Sequence, residues 1–150
     1  MRHPEEFHGI LPPILTPLYP DSTPDLDSLA RLVEYLLAAG VHGIWALGTT
    51  GEFAAFTAAE RAAILQRVVE TVNGRVPVVA NVSDAATRLA IEHGRAAARL
   101  GADAIAATPP YYYPHSQDEL LAHYRAIREA VDLPLFIYNI PPTVKVRVEP

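Results

Sequence analysis

The chain has 150 residues, half of them apolar and 19% charged, with a formal net charge of -5 at neutral pH. Such a composition suits one folded domain that buries roughly 70% of its unfolded surface, and its acidic balance without a basic stripe argues against nucleic acid as the main partner. With no cysteine there are no disulfides, thiolate zinc sites or cysteine nucleophiles, and with neither a signal-peptide core in "MRHPEEFHGI" nor an apolar run of about 20 residues the expectation is a soluble, cytoplasmic protein without a membrane partner.

In chain order, the first apolar run is "GILPPILT" (9–16). A helix is predicted after Asp27-Ser28, with Leu29, Leu32, Val33, Leu36 and Leu37 on one stripe and Gly40 beyond its end. "GIWALGT" (43–49) is the second run, followed by a helix that "TAAE" opens as a capping box of Thr57 and Glu60, with Gly74 past its end. "VPVVANV" (76–82) comes third. Asp84 or Ser83 can cap the helix after it, whose apolar face is read through Leu89, Ala96 and Leu100 up to Gly101. The fourth run, "DAIAATP" (103–109), leads into "TPPYYYPHSQ" and a second capping box, "SQDE" (116–119). "LPLFIYNIP" (133–141) is the fifth.

None of these runs alternates apolar with polar, so each reads as a strand buried on both faces of a parallel sheet. Five strands and four helices strictly alternate, with strand starts roughly thirty residues apart, the length of a βαβ unit. The fold class is α/β. Either an open doubly wound sheet or part of a (β/α)8 barrel fits, although no GxGxxG follows the first run and 150 residues fall short of the roughly 250 of a whole barrel. Polar residues gather after the runs: Thr16, Thr49-Thr50, Asn81, Thr108 with the tyrosines, and Tyr138-Asn139. In a barrel these positions ring one mouth.

The stretch "GTTGE" (48–52) admits two readings. A threonine can cap the following turn while Glu52 closes a hydrogen bond, or Thr50 and nearby N–H groups can hold a carboxylate, with Gly51 allowing close approach. Tyr138 is a plausible proton carrier at a strand exit, or a core tyrosine with a satisfied hydroxyl. The six histidines (3, 8, 42, 93, 115 and 123) show no i, i+4 ligand pair and read as structural, so no metal site is expected. Lys145 is the single lysine.

The order GTTGE, TPPYY and YNIP, each after a strand, resembles the dihydrodipicolinate synthase / N-acetylneuraminate lyase superfamily over about residues 8 to 142. The resemblance implies a (β/α)8 TIM barrel, of which this chain holds about the first five strands and four helices as one incomplete domain (1–150). It implies a class I aldolase or lyase that binds pyruvate or another 2-keto acid through a lysine Schiff base, can take an aldehyde as a second partner, uses no cofactor and forms homo-oligomers, usually tetramers. Carried over by position, Thr50 and its N–H hold the substrate carboxylate, with Thr49 beside it. Thr49 also links two tyrosines into a proton relay, Tyr138 shuttles protons at the Schiff base, and Tyr112 reaches in from a neighbouring subunit. Tyr112 matches better than Tyr111 or Tyr113 by its distance to Ser116-Gln117.

Two departures accompany the resemblance. The family's nucleophilic lysine lies on the sixth strand, past Pro150, and Lys145 is misplaced to substitute for it, so this chain alone is expected to be inactive. Its sheet is then open at both edges, which are liable to pair with other chains. The synthases' arginine after the YN-x-P tyrosine is Thr143 here, with Arg147 nearby, which favours another 2-keto acid aldolase, lyase or dehydratase. Two other readings stand beside this one: a non-catalytic fragment or assembly subunit that needs the missing strands, and a doubly wound phosphate-binding domain.

Overall fold

The computed structural model describes residues 4–150; His3 lies outside them. Four helices alternate with four strands: α1 (Leu26–Ala38), β1 (Ile44–Ala46), α2 (Ala58–Val72), β2 (Val78–Asn81), α3 (Thr87–Leu100), β3 (Ala104–Ala107), α4 (Gln117–Ala130) and β4 (Leu135–Ile137). A one-turn helix, α5 (Pro141–Val144), and 3-10 turns at Pro4–Glu6 and Phe53–Ala55 complete the elements.

The strands run parallel in the order β1-β2-β3-β4. A doubly wound sheet reverses its order at a switch point and carries helices on both faces. Here the order never reverses, and the two faces differ. Ile44, Ala46, Val78, Ala80, Ile105 and Ala107 share one core with the helical Val33, Ile64, Val68, Ala97 and Ile127. The alternate residues Val79, Ala104 and Ala106 pack instead with Phe7, Leu11, Trp45 and Phe136, without a helix. A parallel sheet with all its helices on one face, and the other face packed by its own inward side chains, is a segment of a barrel wall.

The first apolar run lies beside β1 but forms only an isolated parallel bridge between Pro13 and Trp45. Ile14 N–H donates to the Trp45 carbonyl at 3.0 Å, and Trp45 N–H to the Pro12 carbonyl at 3.1 Å. Pro12 and Pro13 have no N–H to extend that ladder. The strand expected over the first run is therefore a hydrogen-bonded edge segment.

The helix ends explain where the chain turns. Both capping boxes form: Thr57 and Glu60 at α2, Ser116 and Glu119 at α4. α1 starts slightly earlier than expected, because the Asp25 carboxylate accepts the Ser28 N–H at 2.9 Å and serves as its N-cap. Gly40, Gly74 and Gly101 hold positive φ where helices end.

Two expectations for α3 are corrected. Its N-cap is Ala86, without a side-chain bond. Asp84 instead accepts the N–H of Ala85, and Ser83 bonds to Asn81. The buried face is Ala90, Gly94 and Ala97, while Leu89, Ala96 and Leu100 are half-buried beside it. A Cβ at Gly94 would stand 2.8 Å from Val131 Cγ2. Small residues here allow an approach that leucines would prevent.

Candidate active site at the strand exits

After β1 the backbone makes a constrained turn. Leu47 (φ 58) and Glu52 (φ 55) both sit in the left-handed region, a conformation that costs a non-glycine residue of order 1 kcal/mol and that clusters at binding sites. Between them Gly51 N–H donates to the Gly48 carbonyl, and Glu52 N–H to that of Thr49, each at 3.1 Å. The amides of Thr49 and Thr50 have no partner among the described residues.

Glu52 closes its backbone hydrogen bond, but no threonine of this loop caps a helix: the 3-10 turn after Glu52 has no side-chain cap, and α2 is capped by Thr57. Gly51 does permit a close approach, but of protein. A Cβ there would lie 2.9 Å from the Ile14 carbonyl, and Thr16 Oγ1 donates to the Gly51 carbonyl at 2.8 Å. Those contacts anchor the turn to the first run.

The polar residues of the mouth divide into two sets. Thr108 Oγ1 donates to the Pro109 carbonyl, Asn81 Oδ1 accepts from Ser83 Oγ at 2.7 Å, and Ser83 Oγ accepts the Thr108 N–H at 2.8 Å. Asn139 pairs through both amide atoms with the backbone of Val148. These groups, with Thr16, are engaged in holding the strand exits together. The side chains of Thr49, Thr50 and Tyr138 have no hydrogen-bond partner among the described residues.

Thr49 and Tyr138 come together in a cleft of about 180 Å³ with Pro13, Trp45 and Gly48; the Tyr138 ring stands edge-on to Trp45 at 5.8 Å. Thr49 also lines a second cleft of about 360 Å³ with Glu52, Phe53, Ala54, Ala55, Thr108, Tyr111, Thr143 and Val144. Thr50 is exposed on the turn and lines neither. Tyr112 is 77% exposed, stacked edge-on against Tyr113 at 4.9 Å and outside both clefts. Within one chain the structure thus brings together Thr49 and Tyr138 but not Tyr112.

One residue, Arg61, escaped the sequence reading, and another, Tyr111, was weighed there only as a weaker match than Tyr112. Tyr111 turns inward, its ring 5.9 Å from Phe53, and burial together with the Asp84 carboxylate raises its pKa. Arg61 is 5% exposed; its two terminal nitrogens donate to the carbonyls of Ser83 and Asn81 at 3.1 and 3.2 Å. It lies 3.7 Å from Asp84 and 5.4 Å over the Phe53 ring. Burial depresses the guanidinium's pKa against the opposing pull of Asp84. The signal for Arg61 was its spacing: three and four residues before Ile64 and Leu65, it shares the buried face of α2.

The histidines pack locally. His42 accepts the Ile10 N–H, His93 meets Asp84 at 3.1 Å, and His123 meets the Thr87 hydroxyl at 2.9 Å. Among the described residues no three His, Asp or Glu side chains converge on a metal position, and no helix is long and apolar enough to cross a membrane. Lys145 is exposed just after α5, and neither it nor Arg147 lines either of these two clefts.

A 4-hydroxy-tetrahydrodipicolinate synthase of Phenylobacterium zucineum is 45% identical over 142 residues, which are 95% of this chain and 48% of that protein. A DapA-like lyase of Halobacterium salinarum is 40% identical over 138 residues, 92% of this chain and 45% of its own length. Among solved structures, a prophage protein of the dihydrodipicolinic acid synthase family from E. coli K12, in complex with pyruvate, superposes with a TM-score of 0.92 at 34% identity. The superposition covers 95% of this chain and 48% of that one. A dihydrodipicolinate synthase from Acinetobacter baumannii, also complexed with pyruvate, gives 0.89 at 39% identity over 91% and 47%. The chain spans about half the length of the relatives it matches. The wall with its helices outside is therefore part of a TIM barrel, and since the dihydrodipicolinate synthetase family model matches residues 6–150, the chain belongs to that family of lyases.

Proposed function

We propose that this chain is the N-terminal part of a pyruvate- or 2-keto acid-dependent aldolase or lyase. The observation that carries the reading is the Thr49-Thr50 turn. Two consecutive N–H groups without partners among the described residues stand between two left-handed residues, on a cleft wall shared with Tyr138. Successive unpaired amides make a concavity suited to an anion. In this reading Thr50, through its hydroxyl and N–H, holds the substrate carboxylate, with Thr49 beside it.

The proton chemistry is assigned to Thr49 and Tyr138. An amine attacking a ketone must lose protons and pass them to the departing oxygen, which becomes water. The Tyr138 hydroxyl, open to the same cleft as Thr49, is suited to that transfer, with the threonine as the link to a second tyrosine. Tyr112 is that second tyrosine. Its exposure supports a role in a second copy of the chain, which makes a homo-oligomer part of the proposal. A cytoplasmic setting, where a cysteine-free chain is at no disadvantage, is part of it as well.

The amine itself is assigned to a lysine outside these 150 residues, since Lys145 lines neither cleft. The domain is then an incomplete barrel that supplies the cradle and the relay without the nucleophile. A non-catalytic assembly subunit remains the alternative, favoured by the half-exposed apolar Ile137 on β4.

The test is pyruvate added to the ¹⁵N-labelled chain, with amide shifts read by NMR and borohydride added at the end. Shifts confined to Thr49, Thr50 and their neighbours, with no gain in intact mass, are expected. Silent Thr49 and Thr50 amides defeat the cradle, and a borohydride-stable adduct defeats the assignment of the amine.

A further inference from the structure

Between α2, α3 and β2 lies a cavity of about 20 Å³ that shares no lining residue with either cleft. Alanines and leucines form most of its wall, and its polar lining is Arg61, Asn81 and His93. Roughly 10–15 Å³ is the least that admits a water molecule, so the space suits one heavy atom.

Two donors at this cavity are unsatisfied. Arg61 and Asn81 are 5% and 2% exposed, yet Arg61 Nε and Asn81 Nδ2 have no hydrogen-bond partner among the described residues. The rest of each side chain is engaged. The terminal nitrogens of Arg61 donate to the Ser83 and Asn81 carbonyls. Ser83 Oγ accepts the Thr108 N–H and gives its own hydrogen to Asn81 Oδ1. That order fixes the amide, since turning it over would offer Ser83 a second donor and strand the hydroxyl hydrogen. Arg61 Nε and Asn81 Nδ2 can only donate, so neither satisfies the other, and a buried donor left unpaired is costly.

The occupant must therefore accept hydrogen bonds from both residues. A water oxygen and a halide both do so, and the charges decide for water. Asp84 stands 3.7 Å from Arg61 and already matches its charge, so a halide would add an uncompensated buried anion. Water also needs an acceptor. His93 gives Nε2 to the Asp84 carboxylate at 3.1 Å, and burial favours its neutral ring, whose Nδ1 is left to accept. We propose that one water molecule is bound here between Arg61 Nε and Asn81 Nδ2. It ties α2, through Asn81 and Ser83, to Thr108 at the exit of β3.

Water-to-methyl NOEs on the ¹³C-labelled chain test the site, because methyl protons do not exchange with solvent. Signals are expected at Leu65, Ala80 and Ala97, which line the cavity and are at most 3% exposed. Val33, equally buried but outside the lining, should stay silent. Silence at all three lining residues overturns the proposal. So does a shift of the Asn81 side-chain amide protons when bromide replaces chloride, which marks a halide. Ala62→Val, on the same wall, should fill the space, abolish the NOEs and move the Asn81 side-chain and Thr108 amide resonances. NOEs that survive in the folded variant place the water elsewhere, and an unmoved Thr108 amide breaks the tie to β3; either result overturns the proposal. If the variant does not fold, the NOEs and the bromide exchange in the natural chain decide alone.

Discussion

The imidazole of His123 links the fold to pH. It is buried under α4 with Nδ1 2.9 Å from the Thr87 hydroxyl, so it joins that helix to the first residue of α3. Burial, with His115 nearby, pushes its pKa from 6.5 down to about 4. The folded protein therefore keeps His123 neutral at a pH where the unfolded chain binds a proton. Its stabilising effect is complete above about pH 6.5 and is lost as pH falls toward 4, by about 3 kcal/mol in all. His93, depressed by burial and by Arg61 against the pull of Asp84, contributes in the same direction. Urea unfolding across this range should show the decline, and His123→Gln should flatten it, leaving the smaller slope of His93. An unchanged slope in the variant would show that His123 does not carry the linkage. The histidines were legible as structural from their spacing alone. Arg61 was legible only in part: its spacing before Ile64 and Leu65 puts it on the buried face of α2, but the carbonyls that receive it are fixed only by the fold.

At the scale of elements, the helix starts and stops were largely written in the chain. Thr57 and Ser116 with their partner glutamates satisfy orphan N–H groups by local geometry that needs no tertiary information. The face of α3 was misread because periodicity weighs large apolar residues, whereas this helix packs through its smallest. Gly94 lies on that face, and a Cβ there would meet Val131. Gly94→Val should cost roughly 2–3 kcal/mol, since added methyl groups in a filled contact force backbone or rotamer shifts. Val131→Ala in the same chain should recover more than about 1 kcal/mol by vacating the space, a coupling that a double-mutant cycle measures. Strict additivity of the two substitutions would place the strain elsewhere. The first run shows the opposite limit of sequence reading. Its apolar character marked it as a strand, whereas Pro12 and Pro13 deny it the N–H groups of a full ladder.

For the whole molecule, the unreversed strand order decides between two architectures that the alternation of elements left equal. It also leaves β4 at one end of the sheet, pairing with β3 alone among the described strands. Ile137 lies in register with Ala107, on the face that the helices cover. Ala107 is buried there, while Ile137 remains 51% exposed because no described helix lies beyond it. An apolar side chain beside an unpaired row of N–H and carbonyl groups is a template for another chain. The 150-residue chain should therefore associate through this edge as its concentration rises, as sedimentation velocity would detect. Ile137→Lys should shift that association to higher concentration, because a desolvated ammonium opposes pairing. Its unfolding free energy should change by no more than about 0.5 kcal/mol, as for other exposed positions. If natural chain and variant associate alike, the contact lies on another surface. If the variant loses stability instead, Ile137 contributes to the core, and the barrel wall is less open at β4 than its exposure indicates.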